Sequence, residues 1–310
     1  MRNRRPISDE SISSTKVGVG RCCGHHGEFL QGVFADDVHH LKRGLLTVPC
    51  PIYRSHASFW PRETGPVTVR PAWCTKAVKA AELTLKLIKE SIIGGDLTID
   101  SNIPPGSGFG SSTADVIATI RAVADFAQLV LPRDTVSRIA VDAEIASDSL
   151  AYGDQPVLFG HRSGALIETF EGDYPRLVIV GFDTGDPPVA TDEFAPARYS
   201  PEEIETFSIL RALAARAIRS GDAAALGRVS SVSAEMNQRH LPISRFADIV
   251  KISGISGALG VQVAHSGNVA GLVFGAGERD QVDAGRRILH EEGFGKVIEF
   301  DVFAAPRAWS

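Results

Sequence analysis

The run PPGSGFGSSTA at residues 104–114 constrains this chain more than any other stretch. Gly106, Gly108 and Gly110 fall at alternate positions, which disfavours any regular element there and frees the backbone for positive φ angles. Before the run, DLTID at 96–100 reads as a short strand with Leu97 and Ile99 on one face. After it the chain turns helical from Ser112, with Val116, Ile120, Val123, Ala127 and Val130 on one stripe, and Leu131-Pro132 closes that helix. Ser112 and Asp115 match the S-x-x-D helix-start pattern, so Ser112 is the expected N-cap. A strand, a glycine loop and a helix N-terminus in this order suit an anion. With side chains absent, several N–H groups can converge on one point, and the helix dipole favours phosphate. Ser111 and Ser112 add hydroxyls for a phosphate oxygen or a hydrated Mg²⁺. Two common phosphate loops do not fit. The Walker pattern needs Lys after its last Gly, and Gly110 is followed by Ser111. The dinucleotide fingerprint needs a third Gly where Ser111 stands, and Gly18, Gly20 and Gly24 miss it by one residue.

The chain has 310 residues, enough for two domains or one large one. Its formal charge is 32 − 37 = −5, so it is no basic glove for nucleic acid, and any anionic ligand must be held by local groups. There is no run of 18 apolar residues and no apolar core of a signal peptide, so no membrane partner is expected. Cys22, Cys23, Cys50 and Cys74 show no CxxC pair and read as reduced thiols of a cytoplasmic protein. Residues 1–15, with Arg2, Arg4 and Arg5, read as a disordered tail.

Order is expected from Lys16. Residues 17–34 read as a strand entering a tight, functional loop, residues 45–60 as one or two strands, and Val67 opens another. Thr75 to Ile93 has helical periodicity and stops at Gly94 and Gly95. Thr135 to Ala146 is a shorter helix, and strands follow at 156–159, 165–169 and 177–182. Pro187, Pro188, Pro196 and Pro201 mark a junction between an N-terminal domain, 16–185, and a C-terminal domain, 186–310. Beyond it, helices are expected over 202–219, 223–239 and 278–292, and strands over 261–265, 270–274 and 297–303.

PPGSGFGSSTA resembles the phosphate-binding motif of the GHMP kinases, usually P-x-G-x-G-L-x-S-S-A. GHHGEFLQG, residues 24–32, stands in the place of that family's first motif, and AHSGNVAGLVF, residues 264–274, fits its third. GEFLQG, SSTAD and AHSGNVAGL look like the L-threonine kinases of propanediol utilisation and cobalamin synthesis. Those typically carry P-G-S-C-G-E in the first motif, where this chain has Cys23-Gly24-His25-His26-Gly27-Glu28. The resemblance implies an α+β, two-domain GHMP kinase fold. Its N-terminal ATP-binding domain is like ribosomal protein S5, its C-terminal domain is ferredoxin-like, and the active site lies between them.

The same resemblance assigns roles. ATP would lie against Pro105, Gly106, Ser107, Gly108, Phe109, Gly110, Ser111, Ser112 and Thr113. Ser112 and Glu144 would hold Mg²⁺. Asp148 would take the hydroxyl proton, with Asp154 as rival for that place, and some family members work without such a base. Glu28 could bind the ammonium of an amino-acid substrate or cap nearby amides. His25 and His26 read as substrate contacts; adjacent strand residues point to opposite faces, which argues against a shared metal. His265, Ser266 and Gly267 join the substrate set through the third motif. The expected activity is an ATP- and Mg²⁺-dependent kinase acting on the side-chain hydroxyl of a small amino acid, with L-threonine favoured and O-phospho-L-threonine the product. The rivals are a kinase for another small hydroxylated metabolite and a catalytically idle, ligand-sensing relative. A homodimer is compatible with this reading.

Overall fold

A computed structural model describes residues 16–35, 40–88, 94–144, 146–187, 198–264 and 268–302. Two long antiparallel strands, β1 (Gly18–Ala35) and β2 (Leu41–Arg62), form the spine. Then come β3 (Val67–Arg70), α1 (Thr75–Ile88), β4 (Gly94–Ser101), α2 (Ser111–Phe126) and α3 (Arg133–Glu144). A 3-10 turn at Ser149–Tyr152 leads to β5 (Val157–Gly160), β6 (Ala165–Thr169) and β7 (Leu177–Asp183). The remainder is α4 (Pro201–Ser220), α5 (Ala223–Asn237), α6 (Phe246–Ser256), β8 (Gly260–Val263), β9 (Val269–Gly275), α7 (Arg279–Glu291) and β10 (Gly295–Val302). The strands join in the order β10-β7-β9-β8-β1-β2-β4-β3, with β5 beside β2 and β6 beside β5. β7, which lies before the expected domain junction in sequence, pairs with β9 and β10 from beyond it.

α2 is the buried helix of the N-terminal half. Ala114, Val116, Ile117, Ile120 and Val123 are wholly enclosed. Full burial of each large aliphatic among them contributes about 1.5–3 kcal/mol. The helix rests directly on the start of β1. A Cβ on Gly20 would lie 2.0 Å from the carbonyl oxygen of Ala118, so only glycine permits the contact. Close packing against α2 accounts for both glycines of GVG. α4 starts from Ser200, whose side chain and that of Glu203 form a reciprocal capping box, and ends at left-handed Gly221.

Several expectations are corrected. The glycine-rich first motif is not a loop. β1 runs through it, with register shifts at Cys23/Gly24, His25/Glu28 and Glu28/Leu30 that re-aim its side chains. α2 ends at Phe126 and not at Pro132, because Gln128 turns the chain with φ 58. Val130, assigned to the buried stripe, is 96 % exposed as a result. Gly94 and Gly95 open β4 as well as following α1. α6 carries no expectation from the sequence, since Gly254 and several serines interrupt its apolar pattern. Residues 1–15, the expected tail, lie outside the described residues, as do 89–93 at the end of the expected first helix.

Candidate active site

The glycine loop joins β4 to α2. Gly106, Gly108 and Gly110 take φ of 70°, 77° and 70°, the left-handed region expected of them. Phe109 anchors the loop from within. Its ring is buried against Tyr53, with centroids 4.7 Å apart, and its carbonyl accepts the His25 amide at 3.0 Å. Phe109 can therefore offer a ligand only its backbone. Gly110, not Ser112, is the N-cap of α2. This overturns the capping role of Ser112, and it frees that side chain. Asp115, its supposed partner, instead accepts a hydrogen bond from the Ser55 hydroxyl at 2.6 Å.

The hydroxyl of Ser112 donates to Glu144 Oε2 at 2.7 Å, and that of Thr113 donates to Glu144 Oε1 at 2.8 Å. Glu144 ends α3 and is buried, so the head of α2 and the tail of α3 meet on one carboxylate. Burial pushes the Glu144 carboxyl above its ordinary range; hydrogen bonds from Ser112 and Thr113 oppose the shift, and Asp148 adds to it. Asp148 Oδ2 lies 3.4 Å from the Thr113 hydroxyl and 3.0 Å from His25 Nε2. The other ring nitrogen of His25 is 3.9 Å from Glu28 Oε1. A nearly continuous polar line thus runs from Ser112 through Glu144, Thr113, Asp148 and His25 to Glu28.

Beside it, a cleft of about 240 Å³ is lined by Pro105, Gly106, Ser111 and Ser112 on one side and by Trp73, Thr75 and Lys76 on the other. The sequence reading missed Trp73 and Lys76. They lie at the head of α1, thirty residues before the loop, and no motif flags them; the 77 % exposure of Trp73 is legible only in the structure.

His26 is placed apart from this line. It is wholly buried on the opposite face of β1, hydrogen bonded through Nδ1 to Gln262 and flanked by Phe109 and Phe300. Burial depresses its pKa to about 3, so the ring is neutral. Asp154, the rival of Asp148, makes no side-chain hydrogen bond among the described residues and does not join the Thr113–Glu144 pair. His265, Ser266 and Gly267 lie outside the described residues. The strands that flank them are placed: β8 meets β1 at the Glu28–Val263 pair, which brings the third motif's strand to the first motif's carboxylate.

One ligand atom each from His25, Glu28 and Asp148 lies within 4.8 Å of the others. Ser112 and Glu144 form the harder all-oxygen pair, next to the loop and the cleft.

Residues 75–161 match the family described as GHMP kinases N terminal domain. An L-threonine kinase of Citrobacter freundii is 29 % identical over 60 % of this chain and 65 % of its own length, so the match spans just under two thirds of that relative. An L-threonine kinase of Salmonella typhimurium is 28 % identical over 84 % of both chains. The crystal structure of a homoserine kinase from Cytophaga hutchinsonii superposes with a TM-score of 0.69 at 14 % identity, covering 95 % of this chain and 98 % of that one. The α+β fold is that of the GHMP kinases.

Proposed function

We propose that this GHMP-fold protein is an ATP- and Mg²⁺-dependent kinase of the cytoplasm that phosphorylates the side-chain hydroxyl of a small amino acid, L-threonine, to give O-phospho-L-threonine. One observation carries the reading: Ser112, Thr113, Glu144 and Asp148 converge at the helix N-terminus that follows a left-handed glycine loop. The names of the two bacterial relatives support the substrate.

The residues fit the metal. Ser112 and Glu144 are hard oxygen donors, and a buried carboxylate with a raised pKa is stabilised in its ionised form by a cation beside it. Bound there, Mg²⁺ supplies neutralisation of phosphate charge. The rest of the work falls to the chain. The free amides at the start of α2 hold the phosphates, with the glycines keeping side chains out of their way. Asp148 accepts the hydroxyl proton of the acceptor, and His25, 3.0 Å away, fixes the orientation of its carboxylate. Glu28 places a second negative charge behind His25, on the side that would receive an ammonium group.

A second reading is favoured by one observation. His25 stands where the resembling motif has serine, and it reaches Asp148, so a larger side chain stands beside the proposed proton acceptor. That suits another small hydroxylated amino acid, homoserine included. ATP consumption measured across L-threonine, L-serine, L-homoserine and small amino alcohols, with mass detection of product, decides. Phosphothreonine formed fastest supports the first reading and phosphohomoserine the second. ATP bound without turnover of any acceptor would overturn both and leave an idle sensor.

A further inference from the structure

A second cavity, of about 510 Å³, lies at the far end of α2 from the glycine loop. Its floor is apolar, made by Ile120 and Ala124 of α2 with Val136 of α3. Its rim includes Leu129 and Val130, exposed because α2 ends early at Phe126. Three guanidinium groups belong to the same wall, those of Arg21, Arg121 and Arg133, and no acidic side chain does. None of the three forms an ion pair among the described residues. Arg121 donates to the carbonyls of Arg21 and Ala151, and Arg133 to Gln155 Oε1, all neutral acceptors. Asp125, one turn along α2 from Arg121, accepts a hydrogen bond from the Val19 amide at 2.9 Å.

Unpaired cations around an apolar concavity are a poor surface to leave in water and a good one for an amphipathic anion. Guanidinium groups bind carboxylate, sulfonate and phosphate alike, since each offers two or more oxygens to the planar fork. We propose that this cavity is a binding site for a small organic anion with an apolar body. The acidic group would lie between Arg21 and Arg133, and the apolar part against Ile120 and Val130. The inference does not depend on the kinase reading. Arg121 ties the cavity wall to Ala151, in the 3-10 turn that Asp148 caps, so the two sites share one short piece of backbone.

The probe is 8-anilinonaphthalene-1-sulfonate, an aromatic anion whose fluorescence rises on leaving water, titrated against the full chain with and without saturating Mg·ATP. One saturable site, unaffected by nucleotide and emptied by decanoate, is expected. The uncharged N-phenyl-1-naphthylamine should bind at least about tenfold more weakly, the worth of one charge-assisted hydrogen bond. An Arg21→Gln/Arg133→Gln variant removes the charges, and Val130→Glu places a carboxylate on an exposed rim position without touching the core. Each should weaken sulfonate binding by about tenfold or more at unchanged Tm. Displacement of the probe by ATP, binding without saturation, or wild-type affinity in both variants overturns the proposal.

Discussion

Gly110→Ala tests whether the loop and the polar line form one unit. Gly110 has φ 70°, and a Cβ there would lie 2.3 Å from His25 Cδ2 and 2.8 Å from His25 Nε2. That Nε2 is the atom 3.0 Å from Asp148. The substitution therefore has two costs. Left-handed backbone costs an alanine about 1–2 kcal/mol. Forcing a methyl group into a filled space costs about 1–3 kcal/mol more, since carbon atoms prefer separations near 3.5–4.0 Å. Gly106→Ala separates the two terms. Gly106 has the same φ of 70°, and nothing lies within 4 Å of its Cβ position, so it incurs only the backbone cost. In a large domain each kcal/mol is worth about 2–4 °C in Tm. Thermal unfolding should thus show Gly110→Ala below Gly106→Ala by roughly 2–12 °C. In a His25→Ala background the gap should close, because the ring that meets the methyl group is gone. Turnover should follow: the ring must move by about 1 Å, and misplacement on that scale costs about 10²-fold. Equal Tm values for the two single variants would refute the reasoning.

If Asp148 is the proton acceptor, as proposed, Asp148→Asn removes it at nearly constant size, so kcat should fall by roughly 10²–10⁴-fold with KM for ATP little changed, whereas Asp154→Asn should stay within a few-fold of wild type; steady-state kinetics read both. Ser112→Ala and Glu144→Gln should each lower kcat and raise the Mg²⁺ concentration needed for half-maximal activity, measured by metal titration of initial rates. His26 carries a pH signature. Its folded pKa of about 3 lies below the ordinary 6.5, so the folded state binds fewer protons than the unfolded one and stability falls as pH drops below 6.5. At pH 5 the loss is about 2 kcal/mol, and urea unfolding of His26→Gln should lack that part of the pH dependence. Equal slopes in the two proteins would show that the ring is not held neutral.

The local chemistry is legible in the order of the residues. Alternate glycines between a strand pattern and a helix pattern define a loop of positive φ angles, and Gly106, Gly108 and Gly110 adopt them. The helices at 75, 111, 133, 201, 223 and 279 begin within two residues of where periodicity and punctuation put them. Such features depend on neighbours in the chain. The length of α2 did not: the apolar stripe continues to Val130, but the turn at Gln128 takes that residue into solvent. Nor could spacing say that Ser112 spends its hydroxyl on Glu144 and not on its own helix, 32 residues separating the two. The sequence put Asp148 ahead of Asp154 only by resemblance, and their surroundings separate them: Asp148 faces Thr113 and His25, brought in by α2 and a bulged β1. Adjacent His25 and His26 likewise look alike on paper. Strand geometry sends one to the polar line and the other into the core beside Gln262. A residue's type fixes what it can do, but its partner is set by which distant segments the packing of α2, α3 and the long strands brings within hydrogen-bonding distance.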